Sequence, residues 1–145
     1  MFVGYVDAAL TAAAFDDNGF FRTGDIGHLD ADGYVVITGR LKDVIIRKGE
    51  NISAKEVEDL LYEHEKVSDV AVIGLPDAAS GERVCAVVAC VPDVAPFTMD
   101  ELRRHLIDRK LITRKLPEQL EIVDALPRNA AGKVLKHELR ARYGK

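Results

Sequence analysis

The sequence lacks any apolar stretch long enough to cross a bilayer, and it has no long block of charge of either sign. Its 20 Lys and Arg residues are interspersed with 24 Asp and Glu residues, which gives a net charge of -4 and no footprint of a nucleic-acid-binding surface. The N-terminal residues also lack the basic region of a signal peptide. We therefore expect a cytoplasmic protein with no transmembrane segment and no nucleic-acid partner. Its 145 residues and 48% hydrophobic content suit one compact globular domain with a short appendage.

Cysteine is scarce, and the two cysteines, Cys85 and Cys90, lie in one apolar run. Their odd spacing would place them on opposite faces of a strand, so we expect two core residues rather than a disulfide or a metal pair. Unpaired cysteines are typical of a reducing compartment. The four histidines have no partners at metal-ligand spacing, and we predict no metal-ligating residue. They are His28, His64, His105 and His137.

The sequence also lacks the common phosphate-binding fingerprints. The loop LPRNAAGK at 126–133 has Pro127 and Val134 where a P-loop requires glycine and Ser or Thr, and no G-x-G-x-x-G motif occurs. What remains is Lys133 directly behind Gly132 in a loop of small residues. Such a loop lets the backbone approach a ligand, and the lysine offers a compact cation that suits a phosphoryl oxygen. The alternative is that Lys133 lies in the first turn of a surface helix and points into solvent.

Local patterns predict most of the regular structure. Asp32-Gly33 is a tight-turn dipeptide between apolar segments and predicts a β-hairpin. Ser53 and Glu56 have the spacing of a capping box and predict a helix to about Glu63. The other expected elements are strands at 44–48, 67–75, 83–91 and 120–124, a helix capped at Thr98, and a terminal helix around Leu135 and Leu139.

This order predicts an α+β fold, with a β-hairpin and a roughly three-stranded sheet packed with about three helices. The clearest internal boundary lies at 39–43, where a glycine and three charged residues separate two apolar runs. An ordinary surface turn is the alternative for this segment.

Asp25 in FRTGD and Arg40 in GRLKD are charged residues set among glycines. A carboxylate can accept hydrogen bonds from the two hydroxyls of a ribose, and a guanidinium can donate to the same sugar. Sugar recognition is therefore one interpretation. The other is that Asp25 caps a turn and Arg40 is solvated, which is a common arrangement at protein surfaces.

Three motifs occur in a defined order: FRTGD at 21–25, GRLKDVIIRKGENISAKEVE at 39–58, and LPRNAAGK at 126–133. Together they resemble the acyl-CoA synthetase branch of the acyl-adenylate-forming (AMP-binding) enzymes, and the resemblance runs from about Gly4 to the end. These enzymes have a large N-terminal domain and a small C-terminal domain of roughly this size.

The resemblance implies a division of the chain into three parts. Residues 1–39 would be the residual end of the large AMP-binding domain, residues 40–43 the hinge, and residues 44–145 the mobile C-terminal domain. Lys42 matches the hinge position, which is aspartate in some branches of the family and lysine in others. The alanine-rich opening is in keeping with a start partway through a larger protein.

The resemblance also implies roles for individual residues. Lys133 would contact the α-phosphate and the carboxylate oxygens during adenylation. Asp25 would hold the ribose hydroxyls, with assistance from Arg40. Lys48, Gly49 and Glu50 belong to the loop that would face CoA, where Gly49 would leave room for the pantetheine arm. For Gly49, a simple turn glycine between a strand and a capped helix is the alternative, and for Lys48 an exposed lysine.

The implied function is that of an ATP-dependent acyl-CoA ligase in fatty acid metabolism, which activates a carboxylic acid as acyl-AMP and transfers it to CoA. ATP, Mg²⁺ and CoA would all need the large domain for complete sites, because the phosphate loop, acyl pocket and magnesium-binding glutamate belong to it. We therefore expect the 145 residues alone to be inactive and their main partner to be their own N-terminal domain. The alternatives are a piece of an adenylation domain that loads a carrier protein, and a non-catalytic interaction module.

Overall fold

The computed structural model describes residues 2–144 and confirms an α+β fold. The helices are α1 (Ala8–Ala14), α2 (Ala54–Tyr62), α3 (Met99–Asp108) and α4 (Lys136–Tyr143). The strands are β1 (Asp25–Leu29), β2 (Val35–Arg40), β3 (Val44–Arg47), β4 (Glu50–Ser53), β5 (Val67–Asp77), β6 (Gly81–Cys90) and β7 (Gln119–Val123). Short 3-10 turns lie at Leu41–Asp43 and Thr113–Lys115.

Strands β1 and β2 form an antiparallel hairpin, as the Asp32-Gly33 dipeptide predicted. The carboxylate of Asp30 closes the turn by accepting hydrogen bonds from the backbone N–H groups of Asp32 at 3.0 Å and Tyr34 at 2.8 Å. Gly33 has φ +85°, a conformation that side chains with a Cβ disfavour. The hairpin leads directly into the Leu41–Asp43 turn.

The second sheet has five strands rather than the roughly three expected, in the order β4-β3-β6-β5, with β7 parallel to β6. The sequence patterns missed β4, which pairs antiparallel with β3. Four residues between a glycine turn and a helix cap are too few to show a period of two. The turn itself, Lys48-Gly49, reverses the chain because both residues have positive φ, +50° and +80°.

The core lies on both faces of the β5–β6 pair. On one face, Val72 and Val84 pack with the apolar sides of α2 and α3. On the other, Ile73 packs with Leu139 of α4. Cys85 belongs to this second cluster and Cys90 packs on the first, so the predicted placement on opposite faces is confirmed, and both thiols are free. Burial raises the pKa of Cys85 to about 12, which keeps it protonated.

Helices α2 and α3 begin at the predicted caps. Ser53 accepts a hydrogen bond from the Glu56 N–H at 3.3 Å, and Thr98 forms a complete capping box with Glu101. In α2 the Glu56 side chain pairs with Lys115 instead of completing a box. Helix α1 was not predicted. Over residues 2–144, no helix is both long and apolar enough to cross a membrane.

Candidate functional site

Asp25 and Arg40 lie side by side at the open end of the β1–β2 hairpin. They are cross-strand partners, and Arg40 Nε lies 2.9 Å from Asp25 Oδ1. The side chains are 25% exposed for Asp25 and 45% for Arg40, so both remain accessible. The structure thus brings together the two residues that the sequence singled out for a sugar. Residues 2–144 provide no hydrogen bond to Asp25 Oδ2, which leaves this oxygen able to accept one from a ligand.

Lys133 lies in the tight loop of residues 127–133, which we call the Lys133 loop. It is not in the first turn of a helix, since α4 begins at Lys136. Asn129 organises this loop: its Oδ1 accepts hydrogen bonds from the backbone N–H groups of Ala131 at 3.1 Å and Lys133 at 2.9 Å. Gly132 has φ +78° and its carbonyl is turned toward Arg128. The Lys133 side chain is exposed, and none of the ion pairs within residues 2–144 includes its ammonium group.

A groove joins the Lys133 loop to the Asp25–Arg40 pair. One cavity, of about 490 Å³, is lined by Lys133 and Lys42 among others, and a second, of about 400 Å³, is lined by Asp25 and Arg40. The two cavities share three lining residues, Asp43, Glu58 and Lys136. The predicted sugar-binding pair and the predicted phosphate-binding lysine therefore face the same stretch of surface.

Two ion pairs lie among the residues that line this groove. Lys136 Nζ lies 2.7 Å from Glu58 Oε1, with both side chains 16% exposed, and the same oxygen accepts the Val72 N–H at 2.7 Å. Arg140 Nη2 lies 3.2 Å from Asp43 Oδ1. These contacts fasten α4 to α2 and to the 3-10 turn that contains Lys42. No local sequence pattern indicated either pair, because their members are 78 and 97 positions apart.

A network of polar side chains, Arg128, Asp69 and Tyr62, anchors the Lys133 loop to β5 and α2. Arg128 Nη2 donates to Asp69 Oδ2 at 2.6 Å, and the Tyr62 hydroxyl donates to Asp69 Oδ1 at 2.5 Å. Partial burial by itself raises the pKa of Asp69, but the hydrogen bonds from Tyr62 and Arg128 outweigh it and the pKa is lowered overall. The pKa of Tyr62 is raised by burial and by its hydrogen bond to Asp69. Sequence reasoning missed Tyr62 and Asp69.

Lys48, Gly49 and Glu50 form and follow the β3–β4 turn. Arg47 and Glu50 pair across it, and the Lys48 N–H donates to the Ser80 carbonyl at 2.8 Å. A Cβ added at Gly49 would meet no atom within 4 Å, so in this structure glycine is required by the backbone conformation rather than by space. A cavity of about 500 Å³ beside the turn is lined by Arg47, Lys48, Glu50, Ile112, Thr113 and Arg114.

The β3–β4 turn and the Lys133 loop lie at opposite ends of β5. The Lys133 loop contacts β5 through Asp69, near the start of the strand, and Lys48 bonds to Ser80, three residues beyond its end at Asp77. At about 3.4 Å per residue, the eight steps from Asp69 to Asp77 span about 27 Å. The structure therefore does not bring the residues predicted to face CoA into the groove of Asp25 and Lys133.

The part of the chain that the structure describes offers no cluster of three or more His, Cys, Asp or Glu side chains able to hold a metal ion. The acidic groups of the groove are instead engaged by cations, as in the Glu58–Lys136 and Asp43–Arg140 pairs. A magnesium ion would find no complete ligand set among these residues.

Sequence comparison relates this chain to one protein family and to curated enzymes. Residues 56–133, just over half of the chain, match the AMP-binding enzyme C-terminal domain. The medium-chain fatty-acid–CoA ligase of Escherichia coli K12 is 40% identical over 141 residues, which cover 97% of this chain and 25% of that ligase. The vibriobactin-specific 2,3-dihydroxybenzoate-AMP ligase of Vibrio cholerae O1 is 43% identical over 130 residues, or 90% of this chain and 24% of that ligase. The chain spans about a quarter of the length of these curated relatives.

Solved structures agree with the sequence comparison. ATP-bound MatB from Rhodopseudomonas palustris aligns with a TM-score of 0.89 and 40% identity, over 99% of this chain and 28% of that one. The apo structure of MatB aligns with a TM-score of 0.74 and 42% identity, over 93% of this chain and 26% of that one. The arrangement seen here is thus nearer to the ATP-bound structure. Fold, family match and relatives agree, and the chain belongs to the AMP-binding enzyme C-terminal domain family.

Proposed function

We propose that this chain is the C-terminal part of an ATP-dependent acid–thiol ligase that activates a carboxylic acid as acyl-AMP and transfers the acyl group to CoA. The observation that carries this proposal is the groove shared by the Asp25–Arg40 pair and the Lys133 loop. In this proposal residues 1–39 belong to the large AMP-binding domain, residues 40–43 are the hinge and residues 44–145 are the mobile domain. The large domain would be the principal partner.

The groove suits the first half-reaction. A carboxylate oxygen of the acid bonds to the α-phosphorus of ATP while the bond to the bridging oxygen breaks and pyrophosphate leaves. Asp25 would accept hydrogen bonds from the ribose hydroxyls through its free oxygen, with Arg40 holding the carboxylate in place. The Lys133 ammonium would stabilise the negative charge that develops at the α-phosphate, since a fixed cation acts most strongly where charge builds up in the transition state.

The β3–β4 turn suits the second half-reaction. The CoA sulfur bonds to the acyl carbon, the thiol proton is released and AMP leaves. Lys48, Gly49 and Glu50 would face CoA, but they lie about 27 Å along β5 from the Lys133 loop, on a strand rise of about 3.4 Å per residue. In a single orientation of residues 44–145, Lys133 and the β3–β4 turn cannot both reach the reacting acyl group. We therefore propose that residues 44–145 rotate about Lys42 between the half-reactions.

The acid is proposed to be a fatty acid, on the strength of the Escherichia coli medium-chain relative. The Vibrio cholerae relative is named for an aromatic acid, so the direct test is a panel that contains both classes. CoA is favoured as acceptor by exposed Lys48 at the turn, whose ammonium suits a CoA phosphate, whereas Arg47 and Arg114 are already paired with Glu118 and Glu50. Two free thiols fit the cytoplasmic location that is part of the same proposal.

ATP and CoA fit the residues present, whereas Mg²⁺ would have to be held mainly by the large domain and by the phosphates. Exposed Lys133 and the free Asp25 oxygen are groups that phosphate and ribose require. We propose further that the 145 residues alone form neither acyl-AMP nor acyl-CoA. Incubation with ATP, CoA and the panel of acids checks this, and clear formation of acyl-CoA would contradict it.

The decisive experiment is Lys133→Ala in the full-length enzyme. Acid-dependent exchange of pyrophosphate into ATP should fall by about 100-fold or more, the cost of losing a transition-state contact of roughly 3 kcal/mol. Thioester formation from presynthesised acyl-AMP should be unchanged. Lys110→Asn is the control, because it removes an exposed ammonium at φ +62°, a conformation that Asn tolerates. Undiminished exchange by a folded Lys133→Ala enzyme would overturn the proposal.

A further inference from the structure

We propose that Arg128 is a positioning residue for adenylation: it fastens the Lys133 loop to Asp69 and thereby holds the Lys133 ammonium in its working orientation. This inference rests on the proposed role of Lys133. It assigns to Arg128, Asp69 and Tyr62 a part in the reaction without contact to the nucleotide.

Arg128 bridges two separate parts of the structure with one planar group. Its Nη1 donates to the carbonyl of Gly132 at 2.5 Å, and its Nη2 donates to Asp69 Oδ2 at 2.6 Å. Gly132 immediately precedes Lys133, so this bond fixes the peptide plane from which the Lys133 backbone starts. Because the guanidinium is rigid, the direction toward Asp69 also fixes the direction toward Gly132. A lysine at this position could not hold both partners in one plane.

Asp69 is itself held in place. It lies near the start of β5, its side chain is 21% exposed, and its Oδ1 accepts from the Tyr62 hydroxyl at 2.5 Å and from the Val70 N–H at 3.0 Å. Tyr62 is the last residue of α2. The fixed end of the Arg128 bridge therefore belongs to the sheet and to α2, and the other end belongs to the loop.

The shape of the loop does not depend on this bridge. Asn129 closes the loop through its side chain and through backbone bonds with Lys133 and Gly132. Leu126 before the loop and Leu139 in α4 are buried in the core beneath it. Loss of Arg128 should therefore leave a folded loop that pivots, so the population with Lys133 correctly directed falls. A displacement of about 1 Å can reduce a rate by about 100-fold.

Arg128 and Asp69 both stay charged at neutral pH. The hydrogen bond to Asp69 raises the pKa of Arg128, while the bonds from Tyr62 and Arg128 outweigh burial and lower the pKa of Asp69. The Arg128 side chain is 42% exposed, and an ion pair so accessible to water adds little stability. The Arg128–Asp69 ion pair instead sets the direction of the Lys133 loop. Its loss should therefore affect the rate of adenylation more than the free energy of unfolding.

The test separates the two half-reactions in the full-length enzyme. Arg128→Ala should lower pyrophosphate exchange by about 10- to 100-fold and leave thioester formation from presynthesised acyl-AMP unchanged. Arg128→Lys should not restore exchange, because one ammonium cannot replace the fork. Arg103→Ala, on the exposed side of α3, is the matched control and should behave as the parent enzyme. If Arg128→Ala fails to fold, Asp69→Asn combined with Tyr62→Phe removes the same anchor.

A double-mutant cycle with Lys133→Ala distinguishes positioning from direct contact. If Arg128 acts through Lys133, adding Arg128→Ala to Lys133→Ala should lower exchange no further. Additive losses would mean that Arg128 contacts the nucleotide itself, and they would overturn the inference, as would full exchange by Arg128→Ala or rescue by Arg128→Lys. If Lys133→Ala alone leaves exchange intact, the proposed function fails instead, so the two failures are distinguishable.

Discussion

Arg40 holds Asp25 at 2.9 Å across the first residue pair of the β1–β2 hairpin, and the next residue, Leu41, donates its N–H to the Gly24 carbonyl at 2.8 Å. The end of the hairpin is thereby fixed on both strands. Lys42 follows at once in the 3-10 turn. Arg40, which holds the proposed ribose contact Asp25, is thus separated from the proposed hinge residue Lys42 by Leu41 alone. We therefore expect rotation at Lys42 to leave Asp25 in place.

Asp25→Asn in the full-length enzyme should raise the KM for ATP. A carboxylate that accepts from hydroxyls contributes about 1.5–3 kcal/mol, which corresponds to about 10- to 100-fold. Arg40→Leu should have a smaller effect, because it removes only the group that orients Asp25. Asp32→Asn, at the other end of the hairpin, is the control. Steady-state kinetics with varied ATP check this, and an unchanged KM for Asp25→Asn would contradict the role in ribose binding.

Gly49→Ala should impair transfer to CoA and spare adenylation. Gly49 has φ +80°, so an added Cβ costs about 1–2 kcal/mol in the left-handed region although space is open around it. Gly33→Ala is a matched control, since Gly33 has φ +85°, equally open surroundings and a place in the other hairpin. Both variants should lose similar stability in thermal unfolding. Equal loss of CoA transfer in both would mean that Gly49 has only a structural role.

Glu58→Leu should destabilise the protein by about 3–5 kcal/mol, because it leaves the poorly exposed Lys136 ammonium without its partner. The Val72 N–H loses its acceptor as well. Lys136→Met should cost less, since Glu58 still accepts from Val72, and combining the two substitutions should recover part of the loss. Urea unfolding measures all three variants. A Glu58→Leu protein as stable as the parent would show that this ion pair does not stabilise the groove.

Glu101 should make the protein sensitive to acid. Hydrogen bonds from Lys66, then from the Thr98 backbone and hydroxyl, lower its pKa from 4.5 to about 2. Because the folded pKa is depressed, its contribution is present above pH 4.5 and is lost as the pH falls toward 2. Glu101→Gln should therefore flatten the fall in unfolding free energy over this range, and Asp100→Asn, one residue earlier in α3, serves as the control substitution. Denaturant unfolding at several pH values checks the difference, and parallel curves for Glu101→Gln and the parent would contradict it.

Sequence patterns predicted the elements whose cause is local. The hairpin at Asp32-Gly33 and the helices capped at Ser53 and Thr98 are found where the turn and cap residues place them. Long apolar runs gave β5 and β6. Helix α1 and strand β4 were missed because seven and four residues carry too little periodicity. The number of strands in the sheet was therefore underestimated.

The candidate site was only partly accessible from the sequence. Asp25, Arg40 and Lys133 were singled out by residue type and by resemblance, and their roles stay predictions. The groove that joins Asp25 and Arg40 to Lys133, and the Arg128–Asp69 contact across 59 positions, left no trace in any local pattern. Pairing over such distances depends on how the chain returns on itself.

What the sequence determined by itself is the set of helices, strands and reactive side chains, because turn dipeptides, caps and apolar periodicity act within a few residues. Only the tertiary structure decided which side chains meet: it packs α4 against β5, lays the Lys133 loop beside Asp69, and leaves the Lys48-Gly49 turn at the far end of the same strand. The physical reason is that the buried core fixes the relative positions of elements distant in the chain, and the stretch of β5 from Asp69 to Asp77, about 27 Å at 3.4 Å per residue, keeps the two loops apart.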